Sequence, residues 1–139
     1  MYCLLFHTAA IDYSDVSPGE VNPLFGRQAL EAILRHVTLP FRFSGDIWEE
    51  DWGFCIDIDC DDHSNLVGIV AYLEASESTG MAEQIDGPIE HRLIIKRNRS
   101  FMDWLKRRNI LDQNDPIFEA LRNAVRQAFP DVTTVELEA

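Results

Sequence analysis

The sequence predicts an α+β domain in which a mainly antiparallel sheet of about four to five strands is covered on one face by helices. Three observations lead to this prediction. Several segments alternate apolar and polar residues with the period of two typical of strands. Others repeat apolar residues at helical spacing. Three strand-like segments follow one another, which favours hairpins over parallel crossovers. The predicted order is β-α-β-β-β-α-α-β, in a single domain of residues 1–139.

The N-terminal part of the chain is predicted to form one strand and one helix. Residues 2–8 are an apolar run that is too short for a signal core or a membrane span, and we interpret them as a strand. Asn22 is the expected N-cap of the helix and Pro23 its first residue, and Pro40 rules out its continuation. The apolar stripe of this helix comprises Leu30, Ile33, Leu34 and Val37.

Three consecutive strands are predicted in the middle of the chain. From Phe54 to Cys60 the period is two, which places Cys55 and the following aspartates on a solvated face. Residues 66–74 are apolar on both faces and are expected to form a hairpin with the preceding strand. Residues 75–88 have the composition of a loop, and residues 90–96 alternate again as the third strand.

The C-terminal part is predicted to hold two helices and a last strand. Ser100 and Asp103 have the form of a capping box, and Trp104 and Leu105 are expected to be the buried side of the short helix that it starts. The second helix is expected to begin at Asp115-Pro116 because Asp is a good N-cap and Pro is favoured at the first helical position. Residues 132–137 are expected to form the final strand.

Charge is distributed unevenly along the chain, whose formal net charge is −12. Residues 1–91 hold 17 acidic residues and three basic ones, whereas residues 92–108 hold seven basic residues and a single acid, Asp103. Two interpretations stay open from the sequence. Either the molecule is electrically polar, or the basic segment folds against the acidic one and neutralises it.

Composition argues against several classes of function. A chain with this excess of acids is not expected to bind nucleic acid, because surplus Lys and Arg are what bind the phosphate backbone. An acidic membrane surface is disfavoured for the same reason. The three cysteines are odd in number and lack a CxxC pair, which fits reduced thiols and predicts a cytoplasmic protein.

No catalytic residue, metal site or cofactor is predicted. The sequence shows no nucleophile with its base and no phosphate-binding loop, and the four histidines are scattered over separate elements. The spacing of Asp57, Asp59 and Asp61 lacks the glycine and the later glutamate of a calcium loop. An enzyme is therefore the less favoured interpretation.

The sharpest candidate site is the segment from Asp46 to Gly53, where acids and tryptophans interleave without a clear period. Tryptophans anchor interface hot spots, and carboxylates around them attract a cationic partner and speed its encounter. The alternative is that both tryptophans pack in the core under one helical turn while the acids are solvated. The predicted partner-binding residues are Trp48, Glu49, Glu50, Asp51, Trp52, Asp57 and Asp59.

The basic segment suggests a second, weaker candidate. Arg97 and Arg99 precede the expected helix start at Ser100, where free backbone N–H groups add to the attraction for an anion. The cations of residues 106–108 are expected in the last turn of that helix, where they interact favourably with the negative end of its dipole. The alternative for the whole segment is a solvated, charged face.

The leading hypothesis is a small binding protein whose acidic, Trp-containing surface engages a basic protein partner. In size, acidity and lack of a catalytic signature the chain resembles bacterial immunity and inhibitor proteins, which neutralise a basic toxin or nuclease; this likeness is one of type and rests on no shared motif. Two alternatives stay open. One is a small enzyme or nucleotide-binding domain that uses Arg97, Arg99 and the acids as a phosphate and metal site. The other is a structural subunit that forms a homodimer through an open sheet face.

Overall fold

The computed structural model describes residues 1–13, 25–61, 63–72 and 87–139. Within these residues the α+β class is confirmed, with three helices and one sheet of seven strands. In chain order the elements are β1 (Tyr2–Thr8), α1 (Arg27–Leu34), β2 (Arg42–Phe43), β3 (Trp48–Glu50), β4 (Gly53–Cys60), β5 (His63–Ala71), β6 (Ile89–Arg97), α2 (Phe101–Leu105), α3 (Pro116–Ala128) and β7 (Glu136–Glu138).

The sheet is built from antiparallel pairs in the order β2-β4-β5-β6-β1-β7, and β3 also pairs with β4. The three predicted middle strands are adjacent in the sheet, and Cys60 pairs with His63 across the predicted hairpin turn. The predicted count of four to five strands was too low. The two missed strands, β2 and β3, have two and three residues, too few to show a period of two.

One face of the sheet, called the inner face here, lies in the hydrophobic core with the buried side chains of α1 and α3. Alternation along the strands places these residues two apart. The inner-face residues with the deepest burial are Leu4, Phe6, Ile56, Ile58, Val67, Ile69, Leu93 and Ile95. The opposite face, called the outer face, carries Leu5, Cys55, Asp57, Leu66, Gly68, Val70, Arg92, Ile94 and Lys96.

The helix α3 confirms its predicted start. The Asp115 side chain accepts a hydrogen bond from the backbone N–H of Ile117, and Pro116 is the first helical residue. The buried residues of this helix recur at the spacing of an amphipathic stripe and are Ile117, Phe118, Leu121, Ala124 and Val125. The final strand is shorter than predicted and covers three residues.

The first helix differs from its prediction at the C-terminal end. Leu30, Ile33 and Leu34 are buried as expected, but α1 stops at Leu34, so Val37 lies beyond it and packs on the core from the following turn. The predicted N-cap Asn22 and first residue Pro23 lie outside the described residues, as does most of the predicted loop at 75–88.

The helix α2 is the clearest departure from the predicted fold. Its capping box between Ser100 and Asp103 is present as predicted. The prediction that Trp104 and Leu105 are buried was wrong, because no residue of this helix is buried. The helix also ends at Leu105, so the cations of residues 106–108 lie after the helix and not in its last turn. Polar contacts instead of apolar packing hold this segment in place.

Candidate protein-binding surfaces

The acidic, Trp-containing segment forms a hairpin at the edge of the sheet. Trp48 pairs with Cys55 and Glu50 with Gly53, so the chain reverses through a turn at Asp51 and Trp52. Trp48 lies in a strand and Trp52 in a turn, so the interpretation that both tryptophans lie under one helical turn was wrong. The turn also explains why the segment shows no regular period in the sequence. The side chains of Glu49, Glu50, Asp51 and Trp52 are exposed.

The Trp52 ring lies across Gly68 on the outer face of the sheet. A Cβ atom at Gly68 would lie 2.2 Å from Cη2 of Trp52, so the ring occupies space that a larger residue would fill. The ring is nevertheless 40% exposed. Trp52 is thus held on one side by the sheet and is open to a partner on the other.

A groove of about 420 Å³ runs beside the Trp52 ring on the outer face. Its walls combine apolar side chains with one acid and one base. The lining residues are Met1, Glu50, Trp52, Leu66, Ile94 and Lys96. Shallow apolar grooves with a few charged groups are typical of binding sites for side chains of a partner.

Trp48 has a more enclosed position than Trp52. It is half-buried, and its indole Nε1 donates a hydrogen bond to Glu50 Oε1 at 2.9 Å. This bond fixes the Glu50 carboxylate at the edge of the groove. Trp48 therefore contributes to the surface by orienting an acid as well as by its own partly exposed ring.

Cys55 lies next to this surface but is completely buried, which corrects the prediction that it lies on a solvated face. Burial, together with the negative charges of Glu50 and Asp57, raises the pKa of its thiol to about 11. A thiol with a raised pKa is mostly protonated at neutral pH and is a weak nucleophile. Cys55 is thus a packing residue beneath the acidic hairpin.

The other two predicted contact residues are less accessible than the hairpin acids. Asp57 and Asp59 are both half-buried. Asp57 Oδ1 accepts a hydrogen bond from Asn98 Nδ2 at 3.1 Å, and Asp59 lies opposite Arg42 in the sheet. Asp59 Oδ1 is buried and makes no hydrogen bond within the described residues. Strand alternation places both acids on the outer face, but the structure separates them from the exposed hairpin turn.

Arg97, a predicted anion-binding residue, is buried inside the protein. Its guanidinium group donates to Asn65 Oδ1 at 2.7 Å, to Asn109 Oδ1 at 2.9 Å and to the carboxylate of Asp115. The side chain is 4% exposed. These contacts join β5, β6, the chain after α2 and the start of α3, and they leave little room for an external anion.

Arg99 is engaged by the backbone of its own segment. Its guanidinium group donates to the carbonyl oxygens of Arg108 and Asp103, each at 3.1 Å. The following helix has only five residues, so it is too short to present a strong N-terminal dipole. The anion-binding assignment remains a prediction, and these contacts give it no support.

His91 has the geometry of a core histidine. It is fully buried, its Nδ1 bonds to the carbonyl oxygen of Ile89 at 2.8 Å, and its Nε2 lies 2.8 Å from the Tyr13 hydroxyl. With Nδ1 as the donor, Nε2 accepts from the hydroxyl. Burial lowers the pKa of His91, so the neutral ring is favoured. Within the described residues no three His, Cys, Asp or Glu side chains are grouped so as to hold a metal ion.

A second surface, which the sequence analysis missed, surrounds α2 and is called the α2 surface. It exposes five large apolar side chains, namely Phe101, Met102, Trp104, Leu105 and Ile110. Exposed cations stand beside them at Lys106, Arg107 and Arg108. A sequence signal did exist: the polar capping residues and the three cations leave this helix without a repeat of apolar residues long enough to form a core stripe.

Comparisons of the chain with protein-family models, with curated proteins and with solved structures give no significant match. Among the described residues, no helix combines the length and the apolar character needed to cross a membrane.

Proposed function

We propose that this protein is a small binding protein whose acidic hairpin surface engages a basic protein partner. The acidic hairpin surface is defined as the exposed turn of residues 49–52 with the adjoining groove beside Trp52. The proposal includes a single two-layer domain with helices on one face only, which leaves the outer face accessible. It also places the protein in the cytoplasm, where its three free cysteines stay reduced.

The observation that carries this proposal is the unneutralised charge of the hairpin. Within the described residues, no ion pair involves Glu49, Glu50 or Asp51. The basic segment forms its ion pairs with other acids, namely Glu90, Asp103, Asp115 and Glu138. The hairpin acids thus form no ion pair with the basic segment, although Lys96 lines the same groove as Glu50, and this supports an electrically polar molecule.

The tryptophan supplies the apolar component of the same surface. Charge alone steers association but contributes little affinity at an exposed site, whereas a partly buried Trp can be an anchor. Trp52 is already held against Gly68, so binding would not have to order its ring. The proposed interface thus has a rigid aromatic centre with Glu50 and Asp51 beside it. Glu49, which pairs with Phe54, lies at the edge of the opposite face and contributes its charge.

The experiment is calorimetric titration with two basic probes, poly-L-lysine and a random copolymer of lysine and phenylalanine. We expect the copolymer to bind more tightly because it adds apolar side chains for the groove. The test variant is Glu49→Gln with Glu50→Gln and Asp51→Asn, in which the amide introduced at position 50 keeps an oxygen that can accept from Trp48. We expect association to weaken about tenfold, from roughly 0.5 kcal/mol for each of three exposed pairs.

A matched control changes the net charge equally at other positions. The variant Asp112→Asn with Glu119→Gln and Glu136→Gln removes three exposed acids far from the hairpin in sequence. We expect it to bind nearly as well as the wild type. If both triple variants lower the affinity for the copolymer equally, binding is governed by the total charge of the protein and not by the hairpin. The proposal then fails.

A homodimer formed through the outer face is a second candidate, and one observation favours it. The apolar side chains of Leu5, Leu66, Val70 and Ile94 are only half-buried on this face. Exposed apolar surface of this kind is often an interface between subunits. Sedimentation equilibrium at increasing concentration tests it, with Ile94→Lys expected to abolish a dimer if one forms.

A further inference from the structure

The α2 surface exposes more large apolar side chain than any other short segment of the described residues. Phe101 is 70% exposed, Trp104 64% and Ile110 58%, and Met102 and Leu105 are also exposed. The rings of Phe101 and Trp104 stack on each other with centroids 6.1 Å apart. A contiguous apolar patch of this composition is typical of an interaction site, because isolated surface residues would be expected instead.

The backbone beneath this patch is held by polar contacts. Ser100 and Asp103 cap α2 reciprocally, and Asp103 Oδ1 also accepts from Arg108 Nε at 2.8 Å. Arg99 donates to two carbonyl oxygens of the same segment, and Asn109 joins it to buried Arg97. Asp103 and Asn109 are thus half-buried against the protein, while the apolar side chains of the segment face solvent. Binding would not have to order this segment, which lowers the entropic cost of association.

The charge of the patch is positive although the chain as a whole is strongly negative. The single acid between residues 97 and 111 is Asp103, whose carboxylate is already engaged. Lys106 and Arg107 are exposed and form no ion pair within the described residues. A pocket of about 470 Å³ is lined by two of the cations, Arg99 and Arg107, and by the apolar side chains of Trp104, Leu105 and Ile110. Lys106 is exposed next to Arg107 in the chain but does not line the pocket.

We propose that the α2 surface binds an acidic protein partner, which inserts an apolar side chain into this pocket and places carboxylates against Lys106 and Arg107. Three features select this occupant. The cations require negative charge, the apolar floor requires an apolar side chain, and the concave shape suits a single inserted group. The proposal is independent of the acidic hairpin surface.

The experiment uses two acidic probes, poly-L-glutamate and a random copolymer of glutamate and tyrosine, titrated into the full chain. The copolymer is expected to bind at least about tenfold more tightly, because it alone offers an aromatic side chain for the pocket. Leu105→Ala is the apolar test variant, since alanine preserves the helix. Leu39→Ala is its control, because Leu39 is a leucine that is 77% exposed elsewhere on the surface.

The charge variant is Lys106→Gln with Arg107→Asn, where asparagine suits the left-handed backbone at this position, whose φ is 52°. Its control, Arg35→Gln with Arg126→Gln, removes one exposed cation directly after α1 and one within α3. We expect each test variant to weaken copolymer binding about tenfold and each control to change it less than about twofold. The proposal is overturned if the wild-type protein does not bind the copolymer at millimolar residue concentration. It is also overturned if test and control variants bind the copolymer equally well.

Two further outcomes would assign the surface to another occupant and also overturn it. Self-association of the wild-type protein in sedimentation velocity, abolished by Leu105→Ala, would identify a second copy. Tighter binding to vesicles of phosphatidylserine and phosphatidylcholine than to the copolymer, lost in the same variants, would identify a lipid surface. A wild-type protein that stays monomeric and ignores the vesicles while it binds the copolymer supports the proposal.

Discussion

The two exposed tryptophan surfaces of this molecule are held in opposite ways. Trp52 rests on the sheet, where Gly68 provides the space for its ring, and its strand neighbours are fixed by backbone pairing. Trp104 has no buried neighbour within its helix, which is fixed by a capping box and by arginines that bind backbone carbonyls. The first surface depends on close packing and the second on hydrogen bonds.

The two surfaces also carry opposite charge. The acidic hairpin surface has three exposed acids without ion pairs in the described residues, whereas the α2 surface has exposed cations around one engaged acid. The basic segment pairs mainly with acids close to it in the sheet or in its own turn. Because no ion pair joins the two charged regions within the described residues, the two proposed partners carry opposite charge. Three perturbations test whether the two surfaces are as separate as this comparison requires.

The largest effect is expected from removing Arg97, which anchors the α2 surface to the sheet. Arg97→Ala leaves Asn65 buried without its partner and the half-buried Asp115 unpaired. Loss of one member of a buried ion pair destabilises by about 3 kcal/mol. Urea unfolding should show this loss, and Arg126→Ala, at an exposed position, should change stability by less than about 0.5 kcal/mol. An equally small effect for Arg97→Ala would show that the buried network does not anchor this region.

An intermediate effect is expected at Gly68, beneath the acidic hairpin surface. Gly68→Ala places a methyl group against the Trp52 ring, which must move outward. Overpacking of this kind destabilises by about 1–3 kcal/mol, with the lower value expected because the ring is partly exposed. The measurement is a double-mutant cycle in urea unfolding. In the Trp52→Ala background most of the penalty of Gly68→Ala should disappear, leaving only the contact with Cys55 Sγ, 3.3 Å from the added methyl group. A penalty that persists in full there would show that the Trp52 ring is not what the methyl group meets.

The smallest effect is expected from acid, at the α2 surface. Hydrogen bonds from the Ser100 backbone and from Arg108 lower the pKa of Asp103 to about 2. Asp103 binds a proton more readily in the unfolded segment than in the folded one. The ionised carboxylate therefore stabilises the folded segment fully above about pH 4, and this stabilisation is lost as the pH falls towards 2. NMR should show the Ser100 amide and the Trp104 indole shifting over this range.

The control for this titration is Asp103→Asn, which should remove the shift of the Trp104 indole between about pH 4 and pH 2. The Trp52 indole reports on the other surface in the same spectra. If Trp52 shifts with the same midpoint as Trp104, the whole domain unfolds together. The two surfaces would then not respond to acid separately.

Elements with a local signal were predictable from the sequence. The capping box at Ser100, the Asp115-Pro116 start of α3 and the alternation in β4 depend on residues within one or two turns or a single strand. Short strands were not predictable in this way. β3 forms only because β4 offers it backbone partners, and its three residues carry no period of their own.

The exposure of large side chains was harder still to predict. The hairpin acids and Trp52, which were predicted to bind a partner, are exposed, whereas Trp104, which was predicted to be buried, is exposed as well. Both tryptophans stand among charged residues, and the local signal at Trp104 is only that its helix is too short to form an apolar core stripe. Their environments differ because of contacts with residues distant in sequence. Trp52 packs against Gly68, whereas the segment that carries Trp104 is held by the hydrogen bonds around Arg97.

Composition and local pattern were therefore sufficient for the fold class, the main helices and strands, and the unequal charge of the two halves of the chain. Strand pairing in the sheet decided which acids form no ion pair and which face of β4 is covered. Packing decided that Arg97 is an internal residue and that the apolar side chains of α2 face solvent. The physical reason is that burial and ion pairing are long-range properties: they depend on which residues the folded chain brings together, whereas capping and periodicity depend on near neighbours in sequence.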